Sequence, residues 1–396
     1  MCKAFTSIFN PSGQNSRTSA FDNDDANLNA EVSELSTDED PDKLEHNCNV
    51  VQGVTREALA FMAEVCNIHL SASDLACARQ IVPKVSGLVR RVNDSPTLEN
   101  AFLEFIDKDP KLKGDMRSLE RYVAARCNTI LAMFDSYIHF KNVVKWLTDH
   151  PRSKLRRWAL NDTQWEILEQ LKLVLQIFKE PTDRMSQAGV PLVSEVVPDL
   201  LTVQARLYDV RDDTLHQGLD PTIRVAAQAS LLAPNKYMKF AIEESDVCTI
   251  AIVMCPDRKL KWFADRNFEM DSLCSGVALR FEELYPVGSR QDSRSPVQQE
   301  HRSTGNIFTQ RHSYSSVPPV PANADTIQAY LDAPVVPPEV LAEHGGVIGY
   351  WNNELSRRPR LARMSLDYLT APAPNVRKNV PGAHGCWFVV WDSIAA

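Results

Sequence analysis

The stretch from Asn161 to Phe178 constrains this chain more than any other. Asn161 and Asp162 offer side-chain oxygens suited to capping a helix, Gln164 stands three positions after Asn161, and Trp165, Leu168, Leu171, Leu175 and Phe178 then recur on one face. A cap followed by apolar residues at this spacing predicts an amphipathic helix over about 162–187. A helix of this kind is stable in water mainly through burial of its stripe, so the chain has to build a core around it. Pro181 is expected to disturb the ladder near its end, because it lacks an amide proton and crowds the preceding turn.

The same period recurs along the chain. Leu59, Met62, Val65, Cys66 and Leu70 fall on one face of a helix beginning near Thr55. Further helical segments are predicted over 73–93, with a kink at Pro83, and over 95–107, 117–149, 193–212, 220–242 and 258–285. In the last of these, Trp262, Phe263, Phe268, Leu273, Val277, Leu279 and Phe281 are the expected core. The apolar run from Val247 to Met254 reads equally well as a strand or a buried helical turn. No internal repeat is visible.

Composition then divides the chain. Between Asp22 and Glu45 stand ten acids and one base, Lys43, a local charge of −9 against −8 for all 396 residues, so the rest of the chain carries +1. Residues 1–50 therefore read as a disordered acidic segment, with too little apolar surface to offset ordering entropy. Residues 51–285 read as a helical domain. A linker over 286–324, rich in Ser, Gln, Arg and Pro, ends in Val317-Pro318-Pro319-Val320-Pro321 and reads as a tether with short polyproline character. A compact unit with two amphipathic helices follows over 325–373, too small to bury much core alone. An atypical tail, 374–396, carries the apolar run Cys386–Trp391, for which the sequence shows no partner.

The N-terminus lacks the apolar core of a secretory signal, and the longest uncharged apolar stretch, Cys248–Cys255, falls far short of the roughly 20 residues that span a bilayer. No membrane partner is expected. The nine cysteines are scattered without a CxxC pair, the usage of a reducing compartment, cytoplasm or nucleus. Because the body is nearly neutral, the overall acidity does not argue against a nucleic-acid partner.

Chemistry is sparse. The nine histidines and nine cysteines never fall at CxxC, HxxxH or HExxH spacing, and no P-loop, GxGxxG or GxSxG occurs among only 14 glycines. No metal and no cofactor is expected. The acidic groups Glu243, Glu244 and Asp246, Asp212 and Asp213, and Glu282 and Glu283 sit where solvation explains them better than metal-ion catalysis does. Arg152, Lys154, Arg156 and Arg157 beside Trp158 are candidate phosphate contacts, as are Arg357, Arg358, Arg360 and Arg363 after Trp351. The alternative for both groups is a solvated face that compensates a helix dipole.

Three stretches together resemble the hAT family of DNA transposases. Arg126-Cys127-Asn128-Thr129 is similar to the family's R-W-N-S/T element, with Cys127 where the family has Trp, and Leu160-Asn161-Asp162-Thr163-Gln164-Trp165 is similar to its L-x-x-x-x-W opening. Lys236-Tyr237 and Cys255-Pro256-Asp257-Arg258-Lys259-Leu260-Lys261-Trp262-Phe263 resemble its K-Y and L-x-P-R-x-K-L-x-W-F segment. Tyr350-Trp351 and the run from Arg358 to Leu369 resemble its C-terminal dimerisation signature. The resemblance spans roughly residues 75–373. It implies a mainly α chain: a helical insertion-type domain, an incomplete RNase H-like remainder and a small helical C-terminal dimerisation unit. It assigns dimerisation to Trp351, Pro359, Leu361, Ala362, Met364, Leu366, Tyr368 and Leu369, with a second copy as partner, nucleic acid as a further partner and the nucleus as location.

The same resemblance implies no catalysis. The family's S-x-x-S-E-R-x-F-S element should follow Ala373, yet no glutamate occurs after Glu354. Lys3-Ala4-Phe5-Thr6-Ser7-Ile8-Phe9 resembles residues just after the family's C-x-x-H-x-L-N-L stretch, which places the zinc finger and both catalytic aspartates before Met1. The expectation is a non-catalytic remnant acting through dimerisation and nucleic-acid binding. The alternatives are a fragment of an active transposase whose catalytic residues lie outside this chain, and a domesticated protein-interaction scaffold.

Overall fold

The computed structural model of the chain describes residues 2–9, 41–112, 114, 116–122, 127–151, 153–187, 192–239, 246–287 and 324–371, with the backbone alone at 3, 41–51, 127 and 233–239. Among these residues the regular structure is helical, with no strand. The described residues up to 187 and from 197 to 239 form one compact unit, and 192–196 with 246–371 form a second.

The first unit contains α1 (Cys2–Thr6), α2 (Pro41–Glu64), α3 (Ala72–Arg79), α4 (Ile81–Asp94), α5 (Pro96–Lys108), α6 (Cys127–His139), α7 (Lys141–Asp149), α8 (Asp162–Met185), nearly all of α9 (Val196–Asp212), and α10 (Pro221–Lys239). The helix most legible in the sequence, α8, forms as its cap predicts: the Asn161 side chain accepts the Gln164 amide, and the Gln164 side chain accepts the Asn161 amide. Its stripe of Trp165, Leu168, Leu171, Leu175 and Phe178 is buried, and its ladder runs past Pro181 to Met185. Helix α6 packs along α8, α4 packs against α5 and α6, and α10 packs against α2 and α1.

Several boundaries differ from the periodic reading, each for a local reason. The break expected at Pro83 falls at Gln80, which leaves Pro83 in the first turn of α4, where an amide has no helical partner to lose. The segment expected as one helix over 117–149 begins at Cys127 and is interrupted at Phe140, with φ −93° and ψ 24°. Helix α2 stops at Glu64, and Asn67 turns the chain at φ 53°, so Val65 points outward at 66% exposure instead of joining the core.

The acidic segment 1–50 is not wholly without structure. Helix α2 already begins at Pro41, and Phe5, Ile8 and Phe9 near the start of the chain are buried at 0–1% exposure. Residues 10–40 lie outside the described residues. Each fully buried Phe or Ile contributes about 1.5–3 kcal/mol, whereas fixing each residue's backbone costs about 1–2 kcal/mol.

The second unit is built around α11 (Asp246–Val253), which settles the ambiguous apolar run as a helix; Ile250 to Met254 are all at 1% exposure or less. Around it stand α12 (Lys261–Ala264), α13 (Met270–Leu284), α14 (Ile327–Asp332), α15 (Pro338–Glu343), α16 (Gly346–Glu354) and α17 (Pro359–Leu369). Helix α11 packs against α13, α17 and the turn Val193–Glu195. The C-terminal stretch thus holds four helices instead of two, and it shares a core with 246–287 instead of standing apart behind its linker. Leu279, expected in that core, is 73% exposed because Val277 and Phe281 define the inward side of α13.

Two residues fasten this unit across a long sequence gap. The Asp325 carboxylate accepts the backbone amides of Arg360 and Leu361, each at 3.0 Å, and so caps α17 from outside its own segment. The Arg360 guanidinium donates to the Tyr285 carbonyl, and through another nitrogen to the Asp325 carbonyl at 3.5 Å. Residues 288–323 of the expected linker, and the expected tail 374–396, lie outside the described residues. Among the described residues no helix is long and apolar enough to cross a membrane.

Candidate functional site

In the first unit the candidate phosphate contacts sit on the 3-10 turn Arg156–Trp158 and the residues leading into it. The turn is anchored from below. Trp158 is 1% exposed and wedged against Gly87 of α4, where a β-carbon would come within 2.1 Å of the indole ring. The Arg157 guanidinium lies over the same ring, 4.6 Å from its centroid. Lys154 takes the left-handed conformation at φ 55°, which reverses the chain just before the turn. Lys154, Arg156 and Arg157 are exposed, and among the described residues no carboxylate lies within ion-pair distance of Lys154 or Arg156. Arg152 lies outside the described residues.

The carboxylates considered for catalysis are engaged in structure. Asp212 pairs with Arg211, which holds its carboxyl below the usual range. One oxygen of Asp213 accepts the amides of Gly218 and Leu219. Asp246 and Glu283 share Arg280, and Glu282 pairs with Arg360. Glu243 and Glu244 lie outside the described residues. Among the described residues no group of three or more His, Cys, Asp or Glu is placed to hold a metal ion. Burial pushes the Cys255 thiol up to about 12, so it stays protonated at neutral pH.

An open surface groove in the first unit, lined by Gln176, Lys179, Glu180, Asp183, Arg184 and Gln187, is likewise occupied with its own pairings. Lys179 pairs with Asp183, and Arg184 with Glu180 and Asp199. The Asn128 side chain donates to Asp183 near one end of α8, while Asn161 caps the other end. The side chains of Cys127, Lys236 and Tyr237, and all of Arg126, are not described.

In the second unit the residues assigned to dimerisation divide. Trp351, Leu361, Ala362, Met364 and Leu369 are buried at 0–4% exposure within a single copy. The Trp351 indole donates to the Met254 carbonyl at 2.8 Å, and Tyr330 donates its hydroxyl to the Val253 carbonyl at 2.9 Å, so both satisfy the end of α11. Pro359 is exposed, and Leu366 and Tyr368 are half-buried. Burial raises the Tyr368 phenol above its ordinary range, with Arg280, Asp246, Asp367 and Glu283 as its charged surroundings. The second basic cluster divides as well: Arg358 pairs with Glu354 and lies over the Trp351 ring, Arg360 pairs with Glu282, and Arg363 is exposed.

One residue of the Cys255–Phe263 segment has a structural role that the sequence reading does not assign. Lys259 is 4% exposed, sits at φ 50°, and donates its ammonium to the carbonyls of Tyr330 and Ala333 at 2.7 and 2.8 Å. Burial, with Arg358 nearby, lowers its pKa to about 8. In the sequence it stands among Arg258 and Lys261 with nothing nearby to mark it as buried.

Compared with known proteins, the chain matches no protein-family model and no curated protein.

Proposed function

We propose that this chain is a non-catalytic binding protein derived from a hAT-type transposase, nuclear, which self-associates through its second unit and touches nucleic acid through Lys154, Arg156 and Arg157. The observation that carries the reading is the split within the dimerisation stretch. Five of its side chains build the core of one copy, and Pro359, Leu366 and Tyr368 remain on the surface of α17. Folding and assembly then use different residues of one stretch. The carboxylates considered for catalysis support the non-catalytic half of the reading, since those the structure describes are bound to arginines or backbone amides.

Light scattering on the full chain tests it. Leu366→Asp and Tyr368→Asp are expected to shift the mass toward monomer while helical content and melting stay near wild type. Leu361→Asp is expected to unfold the unit instead. An unchanged mass for folded Leu366→Asp and Tyr368→Asp chains sinks the self-association reading.

A further inference from the structure

The first eight described residues present a pattern that neither half of that reading uses. Phe5, Ile8 and Phe9 stand at i, i+3 and i+4, are each 0–1% exposed, and are carried by a helix of only five residues followed by a turn. A helix this short has no stability of its own. It is held by the surface it meets: it packs against α10 and α2, the Phe5 ring lies 6.0 Å from Phe178 of α8, and the Ser7 hydroxyl meets the Thr55 hydroxyl of α2 at 3.4 Å. Three apolar anchors on a short helix and the turn after it, set among longer helices, resemble the helix-in-groove mode by which proteins take up separate peptides.

The connection to the groove is far longer than the distance it has to cover. Thr55 lies fourteen residues along α2 from Pro41, or about 21 Å at the helical rise. The 31 residues at positions 10–40 can extend to roughly 100 Å. Nothing in that length obliges the segment to return to its own groove. Docking on a neighbouring copy conserves every contact, since the groove and its ligand are the same in each molecule.

We propose that α1 with the turn after it is an exchangeable ligand, and that the groove formed by α2, α8 and α10 accepts residues 2–9 of a second copy of the chain. This interface is separate from the surface of α17. It is a reciprocal exchange that links two first units, with Phe5, Ile8 and Phe9 as the anchors. Within one molecule the connection keeps the segment at a high local concentration, so exchange grows as protein concentration rises or once the connection is cut below the length that spans the distance.

Two measurements on the full chain test this. A fluorescein-labelled peptide of residues 1–10 is titrated into the wild type and into the Phe5→Asp/Phe9→Asp chain, whose own segment no longer competes. Binding to the double variant is expected to be at least about tenfold tighter than to the wild type, because the wild-type tether supplies a competitor at high effective concentration. Separately, deletion of residues 10–39 leaves too short a connection to reach the chain's own groove while keeping every core side chain. In the Leu366→Asp/Tyr368→Asp background, which removes the surface proposed above for self-association, the deletion is expected to double the mass in light scattering. A peptide that ignores the folded double variant, or binds both chains equally, overturns the proposal. If the double variant does not fold, the deletion decides alone, and a deletion chain that stays monomeric overturns the proposal as well.

Discussion

Lys259 and Tyr330 are joined twice: the lysine ammonium donates to the tyrosine's backbone carbonyl at 2.7 Å and lies 4.3 Å from the centroid of the same residue's ring. Among the described residues no carboxylate pairs with this lysine, so burial works against its charge and the Arg358 guanidinium adds to the effect. The neutral amine keeps its N–H donors, and losing the proton need not break the bonds to Tyr330 and Ala333.

The first prediction follows from that pairing. A folded pKa of about 8 lies below the ordinary lysine value of 10.5, so between those limits the unfolded chain holds more protons and stability rises with pH. Above pH 9 the buried Cys255 thiol, raised to about 12, acts in the opposite direction. The clean window is therefore pH 8 to 9, where the urea midpoint of the wild type is expected to climb. The full penalty, present below pH 8, is on the order of 3–4 kcal/mol at about 1.4 kcal/mol per unit. Lys259→Met is expected to flatten that climb; an equal slope in both proteins would falsify the assignment.

Gly87 is predicted to be intolerant of any side chain. A β-carbon there meets the Trp158 ring at 2.1 Å, and the ring cannot retreat because it is enclosed between α4, α7 and its own turn. Gly87→Ala is expected to cost about 2 kcal/mol or more even though alanine favours helix by up to about 1 kcal/mol. Urea denaturation followed by tryptophan fluorescence reads the effect directly. A neutral or stabilising outcome would show that the wedge relaxes.

Asp325 is predicted to act as a cap at a distance. Asp325→Ala removes the acceptor for the Arg360 and Leu361 amides, and a loss of about 1–2 kcal/mol is expected, with Asp325→Asn recovering part of it. Thermal melting of the two variants separates a cap from a general charge effect, which would penalise both alike.

For nucleic acid, Lys154→Ala/Arg156→Ala is expected to weaken binding to random duplex without altering the fold, since both side chains are exposed. Removing two phosphate contacts should lower the slope of log K against log salt by up to about 1.8. A wild-type affinity that does not fall with salt, or a slope the double variant leaves unchanged, removes the turn from any phosphate-binding role.

Local capping and strong periodicity were legible in the sequence, and long-range fastening was not. Asn161 and Gln164 declared the start of α8 because a capping box needs only residues three apart. The breaks at Gln80 and Phe140 were hidden because neither residue is a helix breaker; neighbouring helices decide those turns. Val65 and Leu279 fit an apolar stripe on paper, but helix ends and the inward side of α13 placed them in solvent. Phe5, Ile8 and Phe9 fall within the segment read as disordered because the acidic stretch after them dominates its composition. Asp325 and Lys259 act through atoms 35 to 74 residues along the chain, and no short window of sequence reveals such partners. At the candidate sites, residue types marked the basic turn and the α17 stretch. Which of the α17 side chains face inward depended on packing.

The Arg360 side chain, which holds the Tyr285 carbonyl and the Asp325 backbone together, also sets how the chain between them can change. Both ends of that stretch are pinned beside one guanidinium. The closure entropy of such a loop grows only with the logarithm of its length, about 0.6 kcal/mol for each doubling. Insertions, deletions or a spliced-in module between 286 and 324 are therefore expected to cost little, whereas a substitution at Arg360 removes the side-chain bonds to Tyr285 and Asp325 and leaves only the backbone cap by Asp325.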